Sequence, residues 1–345
     1  MSPTCTIVGV DIGGTKTAAA LVRVASTELI TPASGSTGAP EVLARVELAT
    51  DVSSEAACLE VVYAAVERVR AAEGAQAIGV GTASFVDVAR GIAVDSVHLP
   101  LAGVPLRALL EARFGVPVAV DNDATAACLG EHVFGAGRGT REMLMLTLGT
   151  GVGGGIICRG RLYRGLSGVA GELGHIVIDS EGPKCPGNCP NRGCLEAYVS
   201  GRAMGAAARA AAEADPGSAL GRALAAGETV DGRLLTRLAL GGDAGAAAVL
   251  EGVGRRLGIG LTTLVNIFNP ELIVIGGGAA AAGELLLAPA RRVVAERALR
   301  PARDQVRLVA ATLGPDAGVF GAAALAVTEC LLPAQSGDGG PARSS

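Results

Sequence analysis

The chain has 345 residues, half of them apolar, a formal charge of −4, and only three Tyr, five Phe and no Trp. That length exceeds what one compact core normally serves, so two lobes with a cleft between them are expected, their cores built from Ala, Val, Leu and Ile. The acidic balance offers no basic face for nucleic acid, and the longest uncharged run, the 16 residues from Met143 to Cys158, falls short of the roughly 20 apolar residues of a membrane span.

The first residues, Met1-Ser2-Pro3-Thr4, lead directly into a β-like run without a basic region, an apolar stretch and a small-residue cleavage site, which predicts a cytoplasmic protein. Cys5 to Val10 is apolar and β-branched, breaks at Asp11-Ile12-Gly13-Gly14-Thr15-Lys16 and resumes over Thr17 to Val24, a strand, tight turn and strand. Ser53-Ser54-Glu55 caps a helix expected to reach about Ala72, because Val61, Val62, Ala65, Val66 and Val69 recur at helical spacing. Ile78 to Thr82 and Val116 to Val120 are short apolar runs bounded by Gly or Pro, as in the buried strands of a mixed sheet.

Asp121-Asn122-Asp123 closes the second of those strands and opens a helix expected over Ala124 to Phe134. Met143 to Thr147 and Gly153 to Cys158 read as a second hairpin around a glycine-rich turn. Residues 197 to 260 are Ala-rich and helical in character, Leu272 to Ile275 is a buried strand ended by Gly276-Gly277-Gly278, and a last helix spans about Gly318 to Leu331. The Gly-, Ser- and Pro-rich stretch from Pro333 to Ser345 is expected to be disordered.

Five of the eight Cys (Cys5, Cys58, Cys128, Cys158 and Cys330) stand singly and read as reduced, buried thiols. The other three, Cys185, Cys189 and Cys194, follow His175 closely and give the four-ligand set that a structural zinc takes. Gly and Pro throughout the segment argue for a knuckle that needs such a staple, which scattered thiols do not explain.

The two glycine turns, Asp11 to Lys16 and Leu148 to Gly155, each offer backbone N–H groups and a Thr hydroxyl to an oxyanion. Neither is a P-loop or a dinucleotide fingerprint, because a strand follows each where a helix is required. Two such turns, one in each lobe, imply a nucleotide gripped from both sides, as in an actin-like ATPase or kinase. Asp11 is placed to hold Mg²⁺ through water. Asp123, at a strand-to-helix junction, is the candidate general base for phosphoryl transfer, with Asn122 beside it for substrate hydroxyls. Asp121 reads equally as a helix cap or a solvent contact, and the triplet alone also reads as a helix start.

In family order, Asp11 to Lys16, Asp121-Asn122-Asp123-Ala124, Leu148 to Gly155, Glu172-Leu173-Gly174-His175, the cysteine knuckle ending Gly193-Cys194-Leu195-Glu196, and Asn266 to Glu271 leading to Gly276-Gly277-Gly278 make the chain resemble the ROK family of sugar kinases and repressors, most closely its bacterial glucokinases. The resemblance runs from about Ile7 to Leu325. It implies an α/β, two-lobed, actin-like (ribonuclease H-like) ATPase fold with the nucleotide and sugar in the cleft. The first lobe would be 1–121, with the last helix, about 318–331, packing back on it. The second would be 122–317, with the knuckle at 175–196.

The resemblance further implies that Asn122, Asp123, Glu172, His175 and Glu196 bind the sugar, with Asp123 the base for the 6-hydroxyl. Thr15, Lys16, Thr150 and Gly151, beside Gly13 and Gly14, match phosphate-loop positions, and Gly277 and Gly278 match the turn beside the adenosine. His175, Cys185, Cys189 and Cys194 match the zinc ligands. His175 would then use one ring nitrogen for zinc and offer the other to the sugar. Many members space the first two cysteines one residue apart, whereas Pro186-Gly187-Asn188 intervenes here and makes Cys185 the least secure ligand. Ala83-Ser84, His98 and Thr125 also depart from the family pattern, in loops flanking the sugar. His98 is assigned no role, and His132 reads as structural.

The leading expectation is therefore ATP-dependent phosphorylation of a hexose at its 6-hydroxyl, with glucose as acceptor, Mg²⁺ as cofactor and zinc as a structural ion. The alternatives are N-acetylglucosamine, N-acetylmannosamine, mannose, fructose or allose as acceptor, or a sugar-sensing regulator without catalysis. Only six residues precede Ile7, too few for a DNA-reading head, so no nucleic acid and no membrane is expected as partner. The resemblance implies a homo-oligomer, a dimer or tetramer.

Overall fold

The computed structural model describes residues 4–25, 40–96 and 98–331, so the 333–345 stretch expected to be disordered lies outside the described residues. From the N-terminus, the hairpin β1 (Thr4–Ile12) and β2 (Lys16–Ala25) is followed by β3 (Glu41–Ala49), α1 (Glu55–Arg70), β4 (Ala77–Thr82), a small hairpin of β5 (Phe85–Asp87) and β6 (Ile92–Asp95), α2 (Leu106–Phe114) and β7 (Val118–Asn122). Helix α3 (Asp123–Phe134) leads into β8 (Met143–Leu148), β9 (Val152–Cys158) and β10 (Arg161–Leu162). There follow α4 (Glu196–Val199), α5 (Gly201–Ala214), α6 (Ala219–Ala225), α7 (Gly232–Leu240) and α8 (Ala244–Phe268). The series ends with β11 (Leu272–Gly276), α9 (Glu284–Arg297), α10 (Ala302–Gln305), β12 (Arg307–Ala310) and α11 (Ala317–Ala326).

The two large sheets share one plan, with strand orders β3-β2-β1-β4-β7 and β10-β9-β8-β11-β12. Each is a three-stranded antiparallel meander, with two parallel strands added on the other side of its first strand. Period-two alternation gives each sheet two apolar faces. Val8, Val10, Ile78 and Val80 bury against Val62, Val66 and Val69 of α1, and Leu144, Leu146, Ile273 and Ile275 pack among residues of α5 to α9.

The opposite faces meet α3 and α11. Ile7, Ala18, Ala20 and Val22 cluster with Leu129 and Val133 of α3 and with Val319 and Ala323 of α11. Met143, Met145, Leu272 and Val274 cluster with Ala127, Cys128 and Ala317. Both helices are therefore held between the two sheets, and every residue of α3 from Ala124 to Phe134 is buried. That confinement fixes the direction in which the N-terminus of α3 points.

Several boundaries differ from the sequence reading. Strand β7 starts at Val118, paired with Ile78, directly after Pro117, which has no N–H to give to a ladder, and it runs on to Asn122. Helix α3 begins at Asp123, one residue early, because Asn122 caps it. Helix α11 ends at Ala326, and Val327–Leu331 continues as a π-turn. Cys158, expected to be buried, is exposed at the end of β9. Among the described residues, no helix is long and apolar enough to cross a membrane.

Candidate active site

The end of β7 and the start of α3 set the centre of the site. Asn122 Oδ1 accepts from the amides of Ala124 at 2.9 Å and Thr125 at 3.1 Å, and its Nδ2 donates to the carbonyl of Ser84 at 3.3 Å. Its carbonyl oxygen atom is thus committed to the helix cap, a constraint on the sugar-binding role expected of it. Asp123 follows, with Oδ1 accepting from Ala124 N at 2.8 Å, and it lines the cleft. Burial pushes its carboxyl above the usual range, opposed by the Ala124 amide, its own amide, the Asn122 side chain and the charge of His98.

Asp121 is neither cap nor solvent contact. It is fully buried, its Oδ2 accepts from Arg164 Nε at 2.7 Å, and its Oδ1 accepts from Asn122 N at 2.8 Å. Burial raises its pKa against the pull of the guanidinium.

The first glycine turn is braced from β3. Gly13 N donates to the carbonyl of Lys16 at 3.0 Å, Thr50 N donates to that of Thr15 at 3.1 Å, and Thr50 Oγ1 donates to Gly13 O at 2.7 Å while sharing a hydrogen bond with Thr17 Oγ1. Gly13, Gly14 and Lys16 line the cleft; Thr15 is exposed and is not on its wall. Lys16 Nζ meets Glu47 Oε2 at 2.9 Å. Asp11 also lines the cleft, and burial, then the charge of Asp123, holds its carboxyl up at about 7 against the pull of Lys16.

The second turn faces the first. Gly149 N donates to Gly151 O at 2.9 Å, Gly201 N to Gly149 O at 2.7 Å, and Val152 N to Glu196 Oε2 at 2.7 Å. Thr150 and Gly151 line the cleft, as do Gly277 and Gly278. Gly277 has a φ of +80° and sits where a Cβ would lie 2.6 Å from the Leu148 backbone, so no other residue fits.

His175 joins the cysteine knuckle to the cleft. The donor atoms of His175, Cys185, Cys189 and Cys194 all lie within 4.8 Å of one another. Cys185 Sγ is 3.4 Å from His175 Nδ1, and Cys189 Sγ is 3.9 Å from Cys194 Sγ. A tetrahedral zinc with ordinary bond lengths sets S···N at about 3.6 Å and S···S at about 3.8 Å, so the donor set fits that ion, Cys185 included. Nε2 of the same ring points to Glu172 Oε2 at 3.7 Å. Burial raises the Glu172 pKa, as do the nearby Asp123 and Glu196, against the pull of His175.

Asp11, Asn122, Asp123, Glu172, His175 and Glu196 thus surround one cavity of about 1280 Å³. His98, without a role in the sequence pattern, lines the cleft, packed so closely to Gly14 that a Cβ there would be 3.1 Å from its own. The signal available in the sequence was its departure from the family pattern. Arg164 carried no such signal.

Two sheets of one topology, each presenting a glycine turn to a shared cleft, define a two-lobed actin-like ATPase fold. The chain belongs to the ROK family, whose model matches residues 7–329. The glucokinase of Streptomyces coelicolor is 36% identical over 326 residues, covering 92% of this chain and 96% of that relative. Among solved structures, a ROK family glucokinase from Streptomyces griseus in complex with glucose and AMPPNP matches with a TM-score of 0.80 at 35% identity, over 94% of this chain and 99% of that one. The ROK hexokinase from Thermus thermophilus matches with a TM-score of 0.72 at 35% identity, over 94% and 98% of the two chains.

Proposed function

We propose that the protein is an ATP-dependent sugar kinase of hexokinase type, a glucokinase, transferring the terminal phosphoryl group to the 6-hydroxyl of glucose. The observation that carries this reading is the position of Asp123, in the cavity that also holds both glycine turns. Phosphoryl transfer asks little covalent work of a protein beyond positioning, charge neutralisation and a proton acceptor. Asp123 takes the proton of the attacking hydroxyl, its plane fixed by the Ala124 amide. Asn122 Nδ2, Glu172, His175 Nε2 and Glu196 bind the other hydroxyls, and the amides of the turns receive the phosphate chain. With 1–121 and 122–317 as the two lobes, closure excludes water that would otherwise intercept the phosphoryl group.

Asp11 and Asp123 face one space and repel each other electrostatically, the setting a hard dication relieves. Asp11 would hold Mg²⁺ through water, and the ion would neutralise charge on the transferred group. The knuckle would hold a structural zinc, which fixes the tautomer and orientation of His175. We place the protein in the cytoplasm as a dimer or tetramer, the state that the family resemblance implies.

The test is ADP release measured over glucose, N-acetylglucosamine, N-acetylmannosamine, mannose, fructose and allose. Glucose is expected to give the highest kcat/KM, and Asp123→Asn to lower kcat about 100- to 10,000-fold with little change in the glucose KM. Turnover near that of the parent chain would remove Asp123 as the base.

A further inference from the structure

We infer that Arg202 is a donor-binding residue, its guanidinium holding the diphosphate that leaves as ADP. The inference rests on the kinase reading above. Five carboxylates line the cleft (Asp11, Asp95, Asp123, Glu172 and Glu196), with only two permanently cationic side chains among the described residues, Lys16 and Arg202. A nucleotide's phosphate chain entering so acidic a cavity needs a cation to meet it. Lys16 is already joined to Glu47 at 2.9 Å. Arg202 is exposed and makes no ion pair among the described residues.

Its place is on the donor side of the cavity. The preceding residue, Gly201, donates its N–H to Gly149 O at 2.7 Å, so Arg202 follows directly on a bond to the second glycine turn. Gly277, seated against Leu148, is a second neighbour of that turn, and Glu196, whose Oε2 accepts from Val152 N at 2.7 Å, adjoins its sugar-side end. The sugar-facing Asn122 and Glu172 belong to other segments, the β7–α3 junction and the loop after β10.

Helix electrostatics give a second, independent argument. Arg202 is the second residue of α5, a 14-residue helix capped by Ser200 Oγ, which accepts from Ala203 N at 3.2 Å. A cation in the first turn is opposed by the helix dipole, and no acidic residue in that turn offsets it. An arginine there weakens the helix unless an anion arrives. A phosphate set over the helix end and the guanidinium satisfies both, and the planar fork of Arg matches two phosphate oxygens.

The experiment uses the full chain with Arg202→Met and Arg202→Lys, reading KM for MgATP and for glucose, direct binding of MgADP and of adenosine, and the thermal midpoint without ligand. Arg202→Met is expected to weaken MgATP and MgADP about tenfold, the worth of one charge-assisted hydrogen bond. The glucose KM and adenosine binding stay unchanged, and the ligand-free midpoint is equal or slightly raised. Arg202→Lys, which keeps the charge and loses the fork, falls between. Unchanged MgADP binding, an equal loss for adenosine, or a glucose KM rising in step overturns the assignment. If the parent chain releases no ADP with any sugar, the kinase reading fails, while the MgADP and adenosine measurements still decide the role of Arg202.

Discussion

Arg164 Nε and Asp121 Oδ2 meet at 2.7 Å across 43 residues of chain, and the carboxylate is wholly buried. The other oxygen of Asp121 holds the amide of Asn122, and Arg164 Nη2 reaches Glu329 Oε1 at 3.1 Å. Ala170 N donates to the Arg164 carbonyl, closing the loop that continues to Glu172. One guanidinium thus ties the loop that leads to Glu172 to the strand-to-helix junction that carries Asn122 and Asp123.

Removing that guanidinium leaves a buried carboxylate without its partner. Arg164→Met is expected to cost about 3–5 kcal/mol in urea unfolding and to lower kcat, because the cap and Asp123 lose their anchor. The double change with Asp121→Asn is expected to recover most of the stability, since the uncompensated charge is gone. A double variant as unstable as Arg164→Met alone would mean that lost packing, not charge, dominates.

The knuckle predicts a metal content and a kinetic signature. Elemental analysis is expected to find zinc bound by the four-ligand site, and Cys185→Ser to lower its occupancy. Because the metal would act on the sugar only through the His175 ring, the variant is expected to raise the glucose KM about two- to tenfold, the worth of one hydrogen bond, with kcat less affected. A chelated protein that keeps its fold and its glucose affinity would contradict the structural role.

The acid limb of the pH profile reports the carboxyls in the cleft. A general base works deprotonated, so kcat/KM falls as pH drops through its pKa. Burial raises that pKa for Asp123, so the fall is expected to begin at higher pH than for an exposed aspartate. The charge of His98 acts in the opposite direction. His98→Asn removes it and is expected to move the acid limb to still higher pH. A limb that stays in place or moves down would mean that His98 does not act on the base.

The parts of the site legible in the sequence are those whose chemistry is local. Gly13-Gly14 and Gly277-Gly278 break apolar runs where backbone must approach other groups, and Asp123 stands where a buried strand gives way to a helix. Contacts between distant segments left no such mark. Asp121 reads as one more polar residue at a helix start, because its partner lies 43 residues away, and Thr15 shares a turn with cleft residues without lining the cleft. Edge strand β3 shows no clear period because its residues alternate only weakly between exposed and half-buried positions, with Glu41, Arg45 and Glu47 along it. β12 has four residues and β5 three, too short for either to show a period.

The placement of Asp123 depends on how closely α11 lies against α3, and glycines set that distance. A Cβ on Gly321 would run into the carbonyl of Ala126, and one on Gly130 would lie 2.6 Å from that of Ala317. Backbone atoms on both sides cannot yield as a side-chain tip would, so Gly321→Ala must push the helices apart. It is expected to cost at least about 1–3 kcal/mol, the usual penalty of overpacking, and to lower kcat through displacement of the N-terminus of α3. Gly252→Ala is the matched control, because it lies in α8 with nothing within 4 Å of the added Cβ. There the better helix propensity of Ala is expected to add about 0.5–1 kcal/mol with kcat unchanged. Equal effects from the two changes, read by urea unfolding and turnover, would show that the approach of α11 to α3 does not control the site.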